Sequence, residues 1–164
     1  MNNSIQLKLI ATHLLAQREE NPACSNFPKE LVLDTTDDAV EVQKLMIYLN
    51  DQTVYGWKCM LPLDDGSIIL APLLHAPIKQ AENCPLYTTN NKALIEPEIA
   101  FILQSDLPSN KTYTNEDVDT AFASAHLALE LIQKRFDEDT PSTHIEKLAD
   151  GLSNQGVYLG PQID

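Results

Sequence analysis

Glycine is scarce in this sequence, with five among 164 residues. The motifs G-x-x-x-x-G-K-[ST], G-x-G-x-x-G and G-x-S-x-G, which depend on glycine to form tight turns, are all absent. The sequence therefore offers no support for a P-loop enzyme, a dinucleotide-binding enzyme or a hydrolase with a nucleophile elbow.

Cysteine is also infrequent. Cys24, Cys59 and Cys84 are odd in number and widely spaced, and no C-x-x-C pair occurs. Neither a zinc knuckle nor a disulfide framework is therefore indicated. The N-terminal stretch MNNSIQLKL lacks both the cationic region and the uninterrupted apolar region of a secretory signal peptide, so a cytoplasmic location is expected.

Basic side chains are outnumbered by acidic ones, 11 Lys and Arg against 24 Asp and Glu, which gives a formal net charge of −13. Nucleic-acid binding depends on Lys and Arg that neutralise phosphates, so no nucleic-acid partner is expected. An anionic substrate would need a local cation, either a metal ion or a well-placed lysine.

Long hydrophobic runs are missing as well. None approaches the roughly 20 residues of a membrane-spanning helix, and no membrane association is expected.

The remaining composition is that of a globular protein, 43% hydrophobic and 21% charged, and the length suits one domain with a sizeable core. Apolar residues at helical spacing predict helices over residues 4–19 and 36–51. Short β-type runs at 54–61 and 67–74 follow, separated by a turn signal at 64–66. The pattern predicts an α+β protein, with an N-terminal helical segment over residues 1–52 and a sheet-rich region over residues 53–164 in one compact unit.

The C-terminal half contains a further strand, a further helix and an ambiguous segment. Residues 93–103, ALIEPEIAFIL, have the composition of a strand. Thr114 and Asp117 form a capping-box pattern, and the helix that they open is expected to run through Ala125. Residues 127–136, LALELIQKRF, fit either a continuation of this helix or a strand, and periodicity does not decide between the two.

The run IEPEIAF, residues 95–101, places two carboxylates one residue apart in apolar surroundings. In a strand, Glu96 and Glu98 share one face, about 6.6 Å apart at the backbone. Two like charges at that spacing repel each other unless a positive charge lies between them. One interpretation is a site for a hard divalent cation with oxygen ligands. The other is the solvated face of an edge strand, a position that suits Pro97.

Two other charged residues lie in apolar runs. Glu130 is either a third carboxylate of such a site or one polar position on an amphipathic helix. Lys58, between Trp57 and Cys59, either extends its ammonium group to solvent or serves as a general acid or an anchor for a carboxylate. His126 and Glu130 are four residues apart and form an alternative metal-binding pair if this segment is helical.

Four blocks, in this order, resemble the 2-keto-4-pentenoate hydratase/2-oxo-3-enedioate decarboxylase family, which belongs to the fumarylacetoacetate hydrolase superfamily. They are YGWKCMLP, IEPEIAFILQSDLP, ALELIQKRF and LADGLSNQGVYLGP, and the resemblance spans roughly residues 5–161. The second block is the most specific, because the paired glutamates and the D-L-P sequence occur together. The resemblance implies the mixed β-roll of that superfamily, present here only in part, since family members continue beyond the length of this sequence.

The resemblance also implies a site and a reaction. Glu96, Glu98 and Glu130 would be the ligands of Mg²⁺ or Mn²⁺, with Glu130 on a strand, and Lys58 and Ser153 would be catalytic. The expected substrate is a small 2-oxo or 2-hydroxydienoate acid that binds the metal through its C1 carboxylate and C2 oxygen. The leading expectation is a hydratase (a lyase) acting on 2-hydroxypenta-2,4-dienoate or a similar acid in the breakdown of aromatic compounds.

Two alternatives remain open. The same ligand set is compatible with a 2-oxo-3-enedioate (4-oxalocrotonate-type) decarboxylase. A shortened sequence is compatible with a non-catalytic homologue that binds a metal, an oxo-acid or a partner enzyme. Because a partial sheet leaves a strand edge unpaired, a homo-oligomer is expected.

Overall fold

A computed structural model describes residues 3–18, 30–79, 83–89, 91–136 and 142–163. Cys24 lies outside these ranges. Within them, no helix is long and apolar enough to cross a membrane.

Two N-terminal helices form most of the hydrophobic core. They are α1 (Asn3–Ala16) and α2 (Thr36–Leu49), so the helices predicted over 4–19 and 36–51 are confirmed, although each ends earlier than predicted. The Thr35 side chain accepts a hydrogen bond from the Asp38 N–H and caps α2. The two helices pack on each other, and α2 also packs on a short helix, α4 (His144–Ala149), which the sequence analysis did not predict. Their buried apolar residues include Leu7, Ile10, Leu14, Ala39, Val42, Met46 and Leu148.

The two predicted β-type runs form an antiparallel pair, β1 (Gly56–Cys59) and β2 (Leu70–Leu73). The turn between them contains Gly66 at φ +80°, a left-handed conformation that glycine adopts without a steric penalty. Lys58 lies opposite Ala71 in this pair.

A separate five-stranded mixed sheet has the order β3-β7-β6-β5-β4. Its strands are β3 (Ile78–Lys79), β4 (Thr88–Thr89), β5 (Lys92–Leu103), β6 (Phe122–Ile132) and β7 (Asn154–Ile163). β3 and β7 are parallel, and the other pairs are antiparallel. β4 pairs only with Lys92 and Ala93, so the rest of β5 is an edge of the described sheet, and Pro97 lies on that edge as expected.

The helix opened by Thr114, α3 (Asn115–Ala121), has the predicted capping box but is shorter than predicted. The expectation that it runs through Ala125 is wrong, because Phe122 already belongs to β6 and pairs with Leu103 of β5. The backbone hydrogen bonds that β6 forms with β5 stabilise a strand here, although the spacing of the apolar residues is also compatible with a helix. The same pairing decides the ambiguous segment, since β6 continues to Ile132 as a strand.

Candidate metal centre

The register of β5 and β6 brings the three glutamates together. Glu96 lies directly opposite Glu130, and Glu98 follows on the same face of β5. One carboxylate oxygen from each of the three lies within 4.8 Å of the others. Glu130 is 2% exposed, whereas Glu96 and Glu98 are exposed. Like charges directly opposite each other in a sheet are destabilising, so this arrangement calls for a nearby cation.

Lys58 supplies a positive charge from the other sheet. Its Nζ donates a hydrogen bond to Glu96 Oε2 at 3.0 Å and another to Glu130 Oε2. The side chain of Lys58 is 14% exposed, so it does not extend into solvent. The structure therefore brings the predicted catalytic lysine into contact with two of the three predicted ligands.

Burial and pairing act in opposite directions on the two ionised groups. Burial disfavours the Lys58 ammonium, but hydrogen bonds to Glu130 and Glu96 and their negative charges outweigh it, so the pKa of Lys58 is raised. Burial also raises the pKa of Glu130, against the opposing effects of Lys58 and Asn154. Lys58 is consequently protonated at neutral pH in this structure.

Asn154 is a site residue that the sequence analysis missed. Its Nδ2 donates a hydrogen bond to Glu130 Oε1 at 2.9 Å, while Oε2 of the same carboxylate accepts from Lys58. The available signal was the amide pair Asn154-Gln155, two polar residues that open an otherwise apolar run. The pairing of β7 with β6, which brings this position near Glu130, is not visible in the sequence.

Ser153 lies in the turn between α4 and β7, at φ 64°. Within the described residues, its hydroxyl makes no hydrogen bond to the three carboxylates. Ser153 and Glu96 instead line a common cavity of about 610 Å³, whose wall also carries Lys134 and Lys147. The structure thus places Ser153 on the wall of the same cavity as Glu96.

His126 is separate from this cluster. Its ring nitrogens lie 3.0 Å from Ser124 Oγ and 3.0 Å from the Gly160 carbonyl oxygen. Four residues along a strand span roughly 13 Å, so His126 and Glu130 do not form the metal pair that a helix would have created. That alternative is wrong because the segment is a strand.

The donor set fits a hard divalent cation. All three converging donors are carboxylate oxygens, the ligands that Mg²⁺ and Mn²⁺ prefer. The ammonium of Lys58 already contacts two of the residues, which shows that a cation is accommodated there. Asn154 supplies a neutral donor to the buried Glu130 carboxylate, an arrangement that is common around metal-binding carboxylates.

Solved structures that share this fold include two of 4-oxalocrotonate decarboxylase from Pseudomonas putida G7. The complex with magnesium and adipate has a TM-score of 0.65 and 18% identity, over 96% of this chain and 63% of that chain. The complex with calcium and acetate has a TM-score of 0.60 and 17% identity, over 96% of this chain and 62% of that chain.

This chain thus spans just under two thirds of the length of those structures. No protein-family model matches the sequence, and no curated protein does so. At such identities the likeness establishes the fold. It confirms the α+β class, with N-terminal helices followed by a mixed sheet as in those structures.

Proposed function

We propose that this protein is a divalent-metal-dependent lyase that acts on a small 2-oxo or 2-hydroxydienoate acid. The leading reaction is the addition of water to 2-hydroxypenta-2,4-dienoate or a similar acid, in the breakdown of aromatic compounds. The observation that carries the proposal is the convergence of three glutamate oxygens within 4.8 Å beside the protonated Lys58.

Glu96, Glu98 and Glu130 would hold Mg²⁺ or Mn²⁺. The bound ion supplies positive charge to the substrate's carboxylate and C2 oxygen. Because the chain has a net charge of −13, positive charge from such an ion would favour the approach of an anionic substrate.

Lys58 is the proposed proton carrier. Its ammonium lies at the carboxylates, where it is the proposed donor of a proton to the substrate or the group that orients a water molecule for addition. The cavity that adjoins Glu96 supplies room for a small acid, and the Ser153 hydroxyl on its wall is the proposed hydrogen-bond partner for that acid.

Decarboxylation of a 2-oxo-3-enedioate is the second candidate. It is favoured by the likeness to a 4-oxalocrotonate decarboxylase whose complexes contain magnesium with adipate and calcium with acetate. The three glutamates and Lys58 serve either reaction equally. The third candidate is a non-catalytic homologue that binds a metal, an oxo-acid or a partner enzyme.

An ultraviolet assay separates these candidates. The loss of 2-hydroxypenta-2,4-dienoate is followed with Mg²⁺ or Mn²⁺ and then with EDTA, beside release of CO₂ from 2-oxo-3-hexenedioate. Glu98→Gln is the test variant, and Glu41→Gln on the exposed side of α2 is the matched control. Dienoate loss that needs metal and fails only in Glu98→Gln supports the hydratase, and CO₂ release with the same dependence supports the decarboxylase. Turnover of neither acid, with Mn²⁺ still raising the Tm, leaves a binding protein.

A further inference from the structure

Asn154 is the first residue of β7 and lies opposite Ile132, two residues beyond Glu130 on β6. It is 1% exposed, and its Nδ2 donates to Glu130 Oε1 at 2.9 Å. We propose that Asn154 is a positioning residue, which fixes the orientation of the buried Glu130 carboxylate for metal binding. The inference rests on the proposed function, since it concerns a ligand of the same site.

The backbone of Asn154 is held from two sides. Its carbonyl oxygen accepts hydrogen bonds from Arg18 Nη1 at 2.7 Å and Arg135 Nη2 at 2.9 Å. Arg135 is itself fixed by Asp150, through Nε to Oδ1 at 2.7 Å and Nη2 to Oδ2 at 2.9 Å. The two buried arginines therefore hold the start of β7 rigidly, and the Asn154 amide is presented to Glu130 from a constrained backbone.

Of the two polar atoms of the Asn154 side chain, only Nδ2, which faces Glu130, has a hydrogen-bond partner among the described residues. Its Oδ1 is buried and has no hydrogen-bond partner among the described residues. A buried amide that served packing alone would be expected to satisfy both ends, or to be replaced by an apolar residue of the same shape. The retained polar function is thus the donation to Glu130.

An amide also suits the charge of this site. It donates to Glu130 Oε1 without adding a positive charge, so the negative charge of the carboxylate is left for a cation. The second oxygen of Glu130 is held by Lys58, which a metal ion would have to displace. Asn154 would therefore keep Glu130 oriented when a metal ion replaces the Lys58 ammonium. Partners of this kind typically contribute 10–100-fold to metal affinity.

The test is calorimetric titration of metal-free protein with Mn²⁺. The variants are Asn154→Leu, which keeps the approximate shape, and Asn154→Ala. The matched control is Gln43→Ala, since Gln43 is 5% exposed and its Nε2 donates to the Leu148 and Leu70 carbonyls, away from the carboxylates. Urea denaturation of each metal-free variant separately measures how much the substitution lowers the free energy of unfolding.

We expect Mn²⁺ affinity to fall roughly 10–100-fold in both Asn154 variants and to be unchanged in Gln43→Ala. In the wild type, Mg²⁺ is also expected to shift the side-chain amide resonances of Asn154 and not those of Gln43, a measurement that needs no folded variant. Wild-type affinity in Asn154→Leu, an equal loss in Gln43→Ala, or an Asn154 amide that does not respond to Mg²⁺ would overturn the positioning role alone. A wild type that binds no Mn²⁺ would overturn the metal centre and this role together.

Discussion

Replacement of Lys58 by Met tests whether this lysine stands in for a metal ion. Nζ lies 3.0 Å from Glu96 Oε2, which corresponds to about 5 kcal/mol at an effective dielectric constant of about 20. The Glu96 side chain is 56% exposed, so solvent reduces this contribution to at most about 1 kcal/mol. The bond to Glu130, whose side chain is 3% exposed, contributes about 1.5–3 kcal/mol.

Lys58→Met is therefore expected to lower the unfolding free energy of the metal-free protein by about 2–4 kcal/mol, or roughly 5–15 °C in Tm. Saturating Mn²⁺ should remove most of this deficit, because the metal ion then neutralises the glutamates in both proteins. Mn²⁺ should accordingly stabilise Lys58→Met more than it stabilises the wild type, in which the ammonium must be displaced.

The assay is urea denaturation in EDTA and in excess Mn²⁺, with Lys44→Met as the matched control. Lys44 pairs with Glu41 at 3.3 Å on the surface of α2, where the two side chains are 67% and 48% exposed. Its replacement should cost less than about 0.5 kcal/mol in either condition. A deficit in Lys58→Met that is the same with and without Mn²⁺, or no larger than that of Lys44→Met, would refute the reasoning.

Three further predictions concern the supporting residues and pH. Arg135→Met leaves the buried Asp150 carboxylate without its forked partner and should cost about 3–5 kcal/mol in urea denaturation, and a loss below about 1 kcal/mol would contradict the pairing. Ser153→Gly removes a side chain at φ 64°, so stability should change by less than about 1 kcal/mol while turnover in the ultraviolet assay falls; unchanged turnover would exclude the hydroxyl from the site. The raised pKa of Lys58 implies that its stabilisation is complete below the unfolded value of 10.5 and is lost as pH rises through the higher folded value. The difference in unfolding free energy between wild type and Lys58→Met should therefore shrink above pH 10.5, and a difference that persists there would argue against the ion pair.

Local patterns were sufficient for the outline of the fold. Helical spacing predicted both N-terminal helices, since each needs only one apolar face to join the core. Period-two alternation placed Glu96 and Glu98 on one face of β5, and the opposite face carries the apolar residues Ile95, Ile99, Phe101 and Leu103. Glu130 was one possible third carboxylate from its apolar surroundings, and the family resemblance assigned it to the same site. Its position opposite Glu96 was not visible in the sequence, because the two residues are far apart.

Features set by long-range pairing were not predictable in this way. Ala125 fits the helical pattern of α3, yet it pairs with Phe101 in the sheet. Asn154 became visible as a site residue only once β7 paired with β6. The Lys58 side chain had two interpretations in the sequence, and only the placement of β1 against the carboxylate face decides between them.

Anomalous diffraction from crystals loaded with Mn²⁺ tests the metal centre most directly. The account predicts one strong peak within coordination distance of carboxylate oxygens of Glu96, Glu98 and Glu130, with the Lys58 ammonium displaced from Glu130. A peak at another site, or no peak at these carboxylates while Lys58 keeps its two hydrogen bonds, would contradict the account.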